Sequence, residues 1–123
     1  MTPQKLPIDD FTEGDEWDGI PSILITTGPE GGPYLPPENP LELVTMRFKK
    51  LGDDSSPVIE LRSDVAGQIT IVSAANWDIS IPAQIIAGLT AGKWAWRIRC
   101  RDTSTTGKPK TWLAGEINVL ETV

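Results

Sequence analysis

The chain has 123 residues, 39% apolar and 23% charged, which is ordinary for a globular protein and enough for one domain with a buried core. Its net charge of −6 argues against nonspecific nucleic-acid binding, which needs a cationic surface, and its apolar runs fall far short of a membrane-spanning helix. Histidine is absent, which removes Ser-His-Asp and Cys-His nucleophile arrangements and the usual zinc sites, and the lone Cys100 has no disulfide partner within the chain.

In chain order, residues 1–15 read as an extended N-terminal arm: Pro3 and Pro7 resist regular structure, and no apolar run there reads as a signal peptide. An acid-only run, Asp9, Asp10, Glu13, Asp15, Glu16 and Asp18, crosses from the arm into a single expected domain over residues 16–123. Trp17 opens a segment whose centre, Ile20 to Ile25, is strand-like. Residues 28–40 form a long Pro- and Gly-rich loop that can be neither helix nor central strand, a candidate partner-binding arm or an idle surface loop.

Leu41 to Lys50 alternates, with Val44, Met46 and Phe48 on one face and Thr45, Arg47 and Lys49 on the other, as a half-buried strand does. Turn residues from Gly52 to Pro57 separate it from a short strand at Val58 to Leu61. Ile69 and Ile71 mark a further strand, and Trp77, Ile79 and Ile81 the next. Pro82 to Leu89 is compatible with one or two helical turns, Pro82 taking the first position.

Lys93 to Arg101 alternates most cleanly, with Trp94, Trp96, Ile98 and Cys100 facing one way and Lys93, Arg97, Arg99 and Arg101 the other. Cys100 on the apolar face reads as a buried, inert thiol. Thr103 to Pro109 is a polar turn, and Thr111 to Leu120 is the last strand, with Leu113, Gly115, Ile117 and Val119 on one face. About seven short antiparallel strands with regularly spaced turns indicate an all-β fold, a single immunoglobulin-like β-sandwich, with a closed barrel as the alternative.

Two near-motifs fail on their spacing. Gly88 to Lys93 falls one residue short of a phosphate loop, lacks the Ser or Thr after the lysine, and precedes a strand rather than a helix. A calcium loop laid on Asp9 to Ile20 puts Phe11 and Ile20 at ligand positions, which leaves only a looser calcium site among the same acids. A carboxylate-dependent hydrolase has abundant acids but no pair singled out. Neither cofactor nor catalytic residue is expected.

The five tryptophans raise a carbohydrate-binding alternative, a module recognising a host surface glycan, because exposed indoles stack on sugars. Trp77, Trp94 and Trp96 share faces with core aliphatics. Trp112 lies on the face opposite Leu113 and Ile117, and Trp17 sits amid acids, so these two are candidate contacts. Tyr34 and Leu35, large apolar residues in the Pro-rich loop, are the foremost candidate anchors for a protein partner. Residues 1–60 carry 12 acids and four bases, and residues 61–123 carry five acids and seven bases, so the halves are −8 and +2. Either they neutralise each other within one sandwich, the plainer reading, or an acidic edge meets a basic face on a neighbouring copy.

Gly14-Asp15-Glu16-Trp17-Asp18-Gly19-Ile20 resembles the start of small immunoglobulin-like virion proteins of tailed bacteriophages. Leu61-Arg62-Ser63-Asp64 with Gly67-Gln68-Ile69-Thr70-Ile71 is similar to that family's central hairpin. Ala91 to Ile98 and Thr111 to Ile117 resemble its last two strands. The resemblance implies a non-enzymatic structural protein, a small adaptor, decoration or connector subunit at a head, neck, baseplate or fibre attachment. It would be made in the host cytoplasm and incorporated in the virion. Its partners would be other virion proteins and copies of itself, as a trimer or hexamer, with neither nucleic acid nor membrane. Because only Glu121-Thr122-Val123 follow the last strand, no receptor-binding domain of its own is expected.

Overall fold

A computed structural model of the chain describes residues 4–5, 10–25, 37–104 and 110–121. Every regular element among them is a β-strand: β1 (Gln4–Lys5), β2 (Phe11–Thr12), β3 (Ile20–Leu24), β4 (Leu41–Lys50), β5 (Ile59–Arg62), β6 (Thr70–Ser73), β7 (Asp78–Ile81), β8 (Gly92–Asp102) and β9 (Lys110–Leu120). Each strand read from the sequence is present, displaced by a residue or two at its ends.

The strands form two sheets. One runs β1-β9-β8-β4-β5, with β2 also on β9, and the other is three-stranded, β3-β7-β6. All pairings between the longer strands are antiparallel. The inward faces of both sheets contribute to one hydrophobic core. Val44, Met46 and Phe48 from β4, Trp94, Trp96 and Ile98 from β8, and Ile79 and Ile81 from β7 are all fully buried. This is a β-sandwich arrangement, built from alternating strands that each hide one face. Gly115 completes the packing: a Cβ there would lie 2.8 Å from Cζ2 of Trp96, so β9 keeps a bare backbone where that indole crosses it.

The short strands β1 and β2 run parallel to β9, with Gln4 opposite Leu113 and Phe11 opposite Val119. The described part of the segment expected as an arm therefore lies along the chain's own last strand and covers its free edge.

The segment Pro82 to Leu89 is not helical. Gln84 makes a two-way backbone bridge to Trp17, with N···O distances of 2.8 and 2.9 Å, and its side-chain amide donates to the carbonyls of Gln68 and Pro82. Long-range pairing here overrides the local helix signal of Pro82. Beside it, Gly19 has φ of 74°, and a Cβ at this position would fall on the carbonyl oxygen of Ile81 and 2.8 Å from the carbonyl carbon of Pro82. Only glycine fits that crossing.

Register shifts interrupt four of the ladders, two of which bear on side-chain placement. Between Ile20 and Ile23, Pro21 sits in a bulge on the edge strand β3, a place where a residue without an N–H is tolerated. In β9, Thr111 opposes Arg99 and Leu113 opposes Ile98, so Trp112 is the extra residue. Trp77 precedes β7 with φ of 53°, rare for a bulky side chain. Its indole N–H donates to the Asn39 carbonyl at 2.7 Å and its own carbonyl accepts from the Ile25 N–H.

Candidate functional site

The outer face of the β9-β8-β4-β5 sheet gathers most of the chain's described cations. Residues directly opposite in an antiparallel pair share a face, so the register places Arg47 against Arg97, Thr45 against Arg99 and Leu43 against Arg101. On the flank, Glu60 of β5 opposes Arg47 and Arg62 opposes Thr45. A groove of about 570 Å³ runs over this face, lined chiefly by Arg47, Lys49, Leu51, Val58, Arg97 and Arg99. A second hollow of about 220 Å³ shares Arg47 and Arg99 with it and continues to Arg62 and Arg101.

Carboxylates fix the rim and leave the centre cationic. Arg47 bonds Glu60 at 2.6 Å, and Arg62 bonds both Glu60 and Asp64 at 2.9 Å. Arg101 reaches Glu42 at 3.5 Å, and Lys93 reaches Glu116 at 3.3 Å. Partial burial pushes the Glu60 carboxyl up, but the bonds from Arg47 and Arg62 outweigh it and hold the group below its usual range. The bond from Arg62 likewise holds Asp64 low. Both acids therefore keep their charge well into mild acid. Among the described residues no ion pair engages Arg97, which is exposed at the middle of the groove.

Two arginines facing each other across a ladder oppose folding. Arg97→Thr should therefore raise stability by about 0.2–1 kcal/mol, read as a higher urea midpoint. A lower midpoint would show that the long arginine stem packs on the sheet more than its charge repels. Guanidinium groups flanked by the exposed aliphatics Leu51 (42%) and Val58 (53%) suit a carboxylate- or phosphate-bearing partner with some apolar surface.

The residues singled out in the sequence fall elsewhere. Trp17 is 4% exposed and meets Phe48 edge-on at 6.5 Å, so its indole is a core group here. Trp112 is half-buried and lies edge-on to Trp77 at 5.3 Å. The bulge explains the difference from strict alternation: the extra residue turns the indole toward the core side instead of away from it. Tyr34 and Leu35 lie outside the described residues. The remaining indoles, of Trp77, Trp94 and Trp96, are buried, which leaves Trp112 as the one indole with part of its surface open to a sugar. Burial pushes the Cys100 thiol up to about 12, which keeps it protonated and inert at neutral pH. Among the described residues no three acidic or thiol side chains group as a metal site would need. Gly88 and Gly92 flank an irregular turn in which the Thr90 carbonyl accepts from the Trp94 indole at 2.8 Å.

Sequence reading saw the cations of β4 and of β8 as two separate polar faces. Their merger depends on the β4–β8 register, whose only trace in the chain is that both runs place cations opposite apolar partners.

Together these features define a β-sandwich with a cationic sheet face. No family model, no characterised protein and no solved structure matches the chain.

Proposed function

We propose that this chain is a non-catalytic assembly module, a small adaptor, decoration or connector subunit of a tailed-phage virion, that works by gripping neighbouring protein subunits. The observation that carries the reading is the cationic groove on an open sheet face, which sets Arg97 opposite Arg47 and beside the exposed aliphatics Leu51 and Val58. The strand orders support an immunoglobulin-like arrangement. Strands β3 to β9 take the places of B, C, C′, D, E, F and G, and the N-terminal arm adds in parallel to the last of them. The residue likeness to small phage virion sandwiches supplies the virion setting, in which the partners are other virion proteins and copies of the chain itself.

Light scattering after size exclusion, paired with a sugar titration followed by tryptophan fluorescence, tests this. A discrete trimer or hexamer that ignores sugars is the expected result. A monomer whose fluorescence is quenched saturably by a glycan, and no longer quenched after Trp112→Ala, would replace the reading with the carbohydrate-binding one.

A further inference from the structure

The cations of the sheet face repeat at the period of a strand. Lys49 and Arg47 on β4, and Arg97, Arg99 and Arg101 on β8, recur at every second residue, about 6.6–6.8 Å apart along each strand. Acidic side chains at alternate positions of an extended segment have that same spacing. The floor between the cations is low, since Ala95 opposes Lys49 and Ala114 opposes Arg97. Among the described residues neither Arg97 nor Lys49 joins an ion pair, and Lys49 Nζ donates to the Ser56 carbonyl at 3.5 Å. Arg47 is oriented by the bond from its Nε–H to Glu60 at 2.6 Å. A carboxylate set between Arg47 and Arg97 would turn their repulsion into charge-assisted contacts.

The groove also has a direction. Leu51 donates its N–H to the Lys93 carbonyl, beside Gly92, so exposed Leu51 and Val58 line the end at which β2 meets β9. The chain's own acids sit at that end too, since the Glu13 N–H donates to the Leu120 carbonyl. Incoming carboxylates are therefore favoured toward Arg97 and Arg101, and an apolar residue toward Leu51. The chain's own acidic run is poorly placed to supply such a segment to a second copy, because it is tied down. Phe11 and Thr12 pair with β9, the Glu13 carboxylate accepts from the Ala91 N–H at 2.8 Å, and Trp17 is buried. From this we infer that the groove binds an extended acidic segment of a different protein. Carboxylates at alternate positions meet Arg97 and Arg47, and an apolar residue covers Leu51 and Val58. The inference rests on the assembly reading and names the chemistry of the gripped neighbour.

The test uses the full chain and two fluorescein-labelled heptapeptides of equal composition, followed by fluorescence anisotropy. Both begin with leucine and threonine. In one, three glutamates then alternate with threonines, so leucine and all carboxylates share one face; in the other the glutamates are consecutive and one points away. The alternating peptide should bind about 10-fold more tightly, the worth of one charge-assisted contact. Arg97→Gln should weaken it by about 10-fold or more with an unchanged or higher urea midpoint, which separates loss of the site from misfolding. Lys93→Gln, outside the groove, should change it by less than about 2-fold. Equal affinity for the two peptides, or an equal loss in Lys93→Gln, would show a diffuse field in place of a site and overturn the inference. Tighter binding of a heparin oligosaccharide than of the alternating peptide at the same salt would reassign the groove to a polyanion. Self-association that Arg97→Gln and the added peptide both abolish would reassign it to a second copy. The assembly reading is judged apart from this: a discrete trimer or hexamer that ignores the peptide overturns the inference and leaves that reading standing, and a glycan-quenched monomer that takes the alternating peptide does the reverse.

Discussion

Gly19→Ala is expected to lose about 2–5 kcal/mol of stability, a large share of the 5–15 kcal/mol typical of a domain, and to appear as a sharply lowered urea midpoint or as insoluble protein. Two causes add at this residue. An L side chain at φ of 74° strains the backbone, and the new methyl falls on the Ile81 and Pro82 carbonyl groups, which are backbone and cannot rotate away. Gly14→Ala separates the two causes: its φ is 81°, but a Cβ there meets nothing within 4 Å. It should lose only about 1–2 kcal/mol. Equal losses at the two glycines would mean that the crossing of residue 19 over the end of β7 has slack that the geometry does not show.

Trp77→Ala should lose about 3–5 kcal/mol. The indole is fully buried, lies edge-on to Trp112 and donates to the Asn39 carbonyl, so its removal opens a cavity and orphans a carbonyl together. Its positive φ adds a second comparison. Trp77→Gly removes more atoms than Trp77→Ala but relieves the strained backbone, so the glycine variant should be no less stable than the alanine one, the reverse of the usual order in a strand-flanking position. A glycine variant weaker by about 1 kcal/mol would show that the φ is set by packing that persists without the ring. A double-mutant cycle with Trp112→Ala should give a coupling of about 0.5–1.5 kcal/mol for the ring pair.

The sandwich was readable wherever one periodicity ran unbroken. Trp94, Trp96, Ile98 and Cys100 alternate with cations, and all four are core residues. The same reasoning failed at Trp112 because a bulge adds one residue and turns its side chain, and bulges leave no mark in a hydrophobic pattern. It failed at Pro82 to Leu89 because the bridge to Trp17 forms between residues far apart in sequence. Trp17, surrounded by acids in the sequence, is buried because that same bridge draws it over Phe48. The cationic groove was legible only in halves: composition gives the second half of the chain its +2, but strand pairing brings Arg47 and Lys49 beside Arg97 and Arg99.

The pairing of β1 and β2 with β9 sets a schedule for biosynthesis. A ribosome delivers Gln4 and Phe11 long before Leu113 and Val119, which are their partners in the sheet. At 5–20 residues per second the leading segment waits roughly 5–20 s for the strand it will cover. During that interval it must stay solvated without pairing with other nascent chains, and the carboxylates that follow Phe11 give it mutual repulsion while it waits. The sheet therefore becomes complete only when the trailing strand emerges, so a chain arrested before Val119 would expose an unpaired leading segment to the cell's proteases.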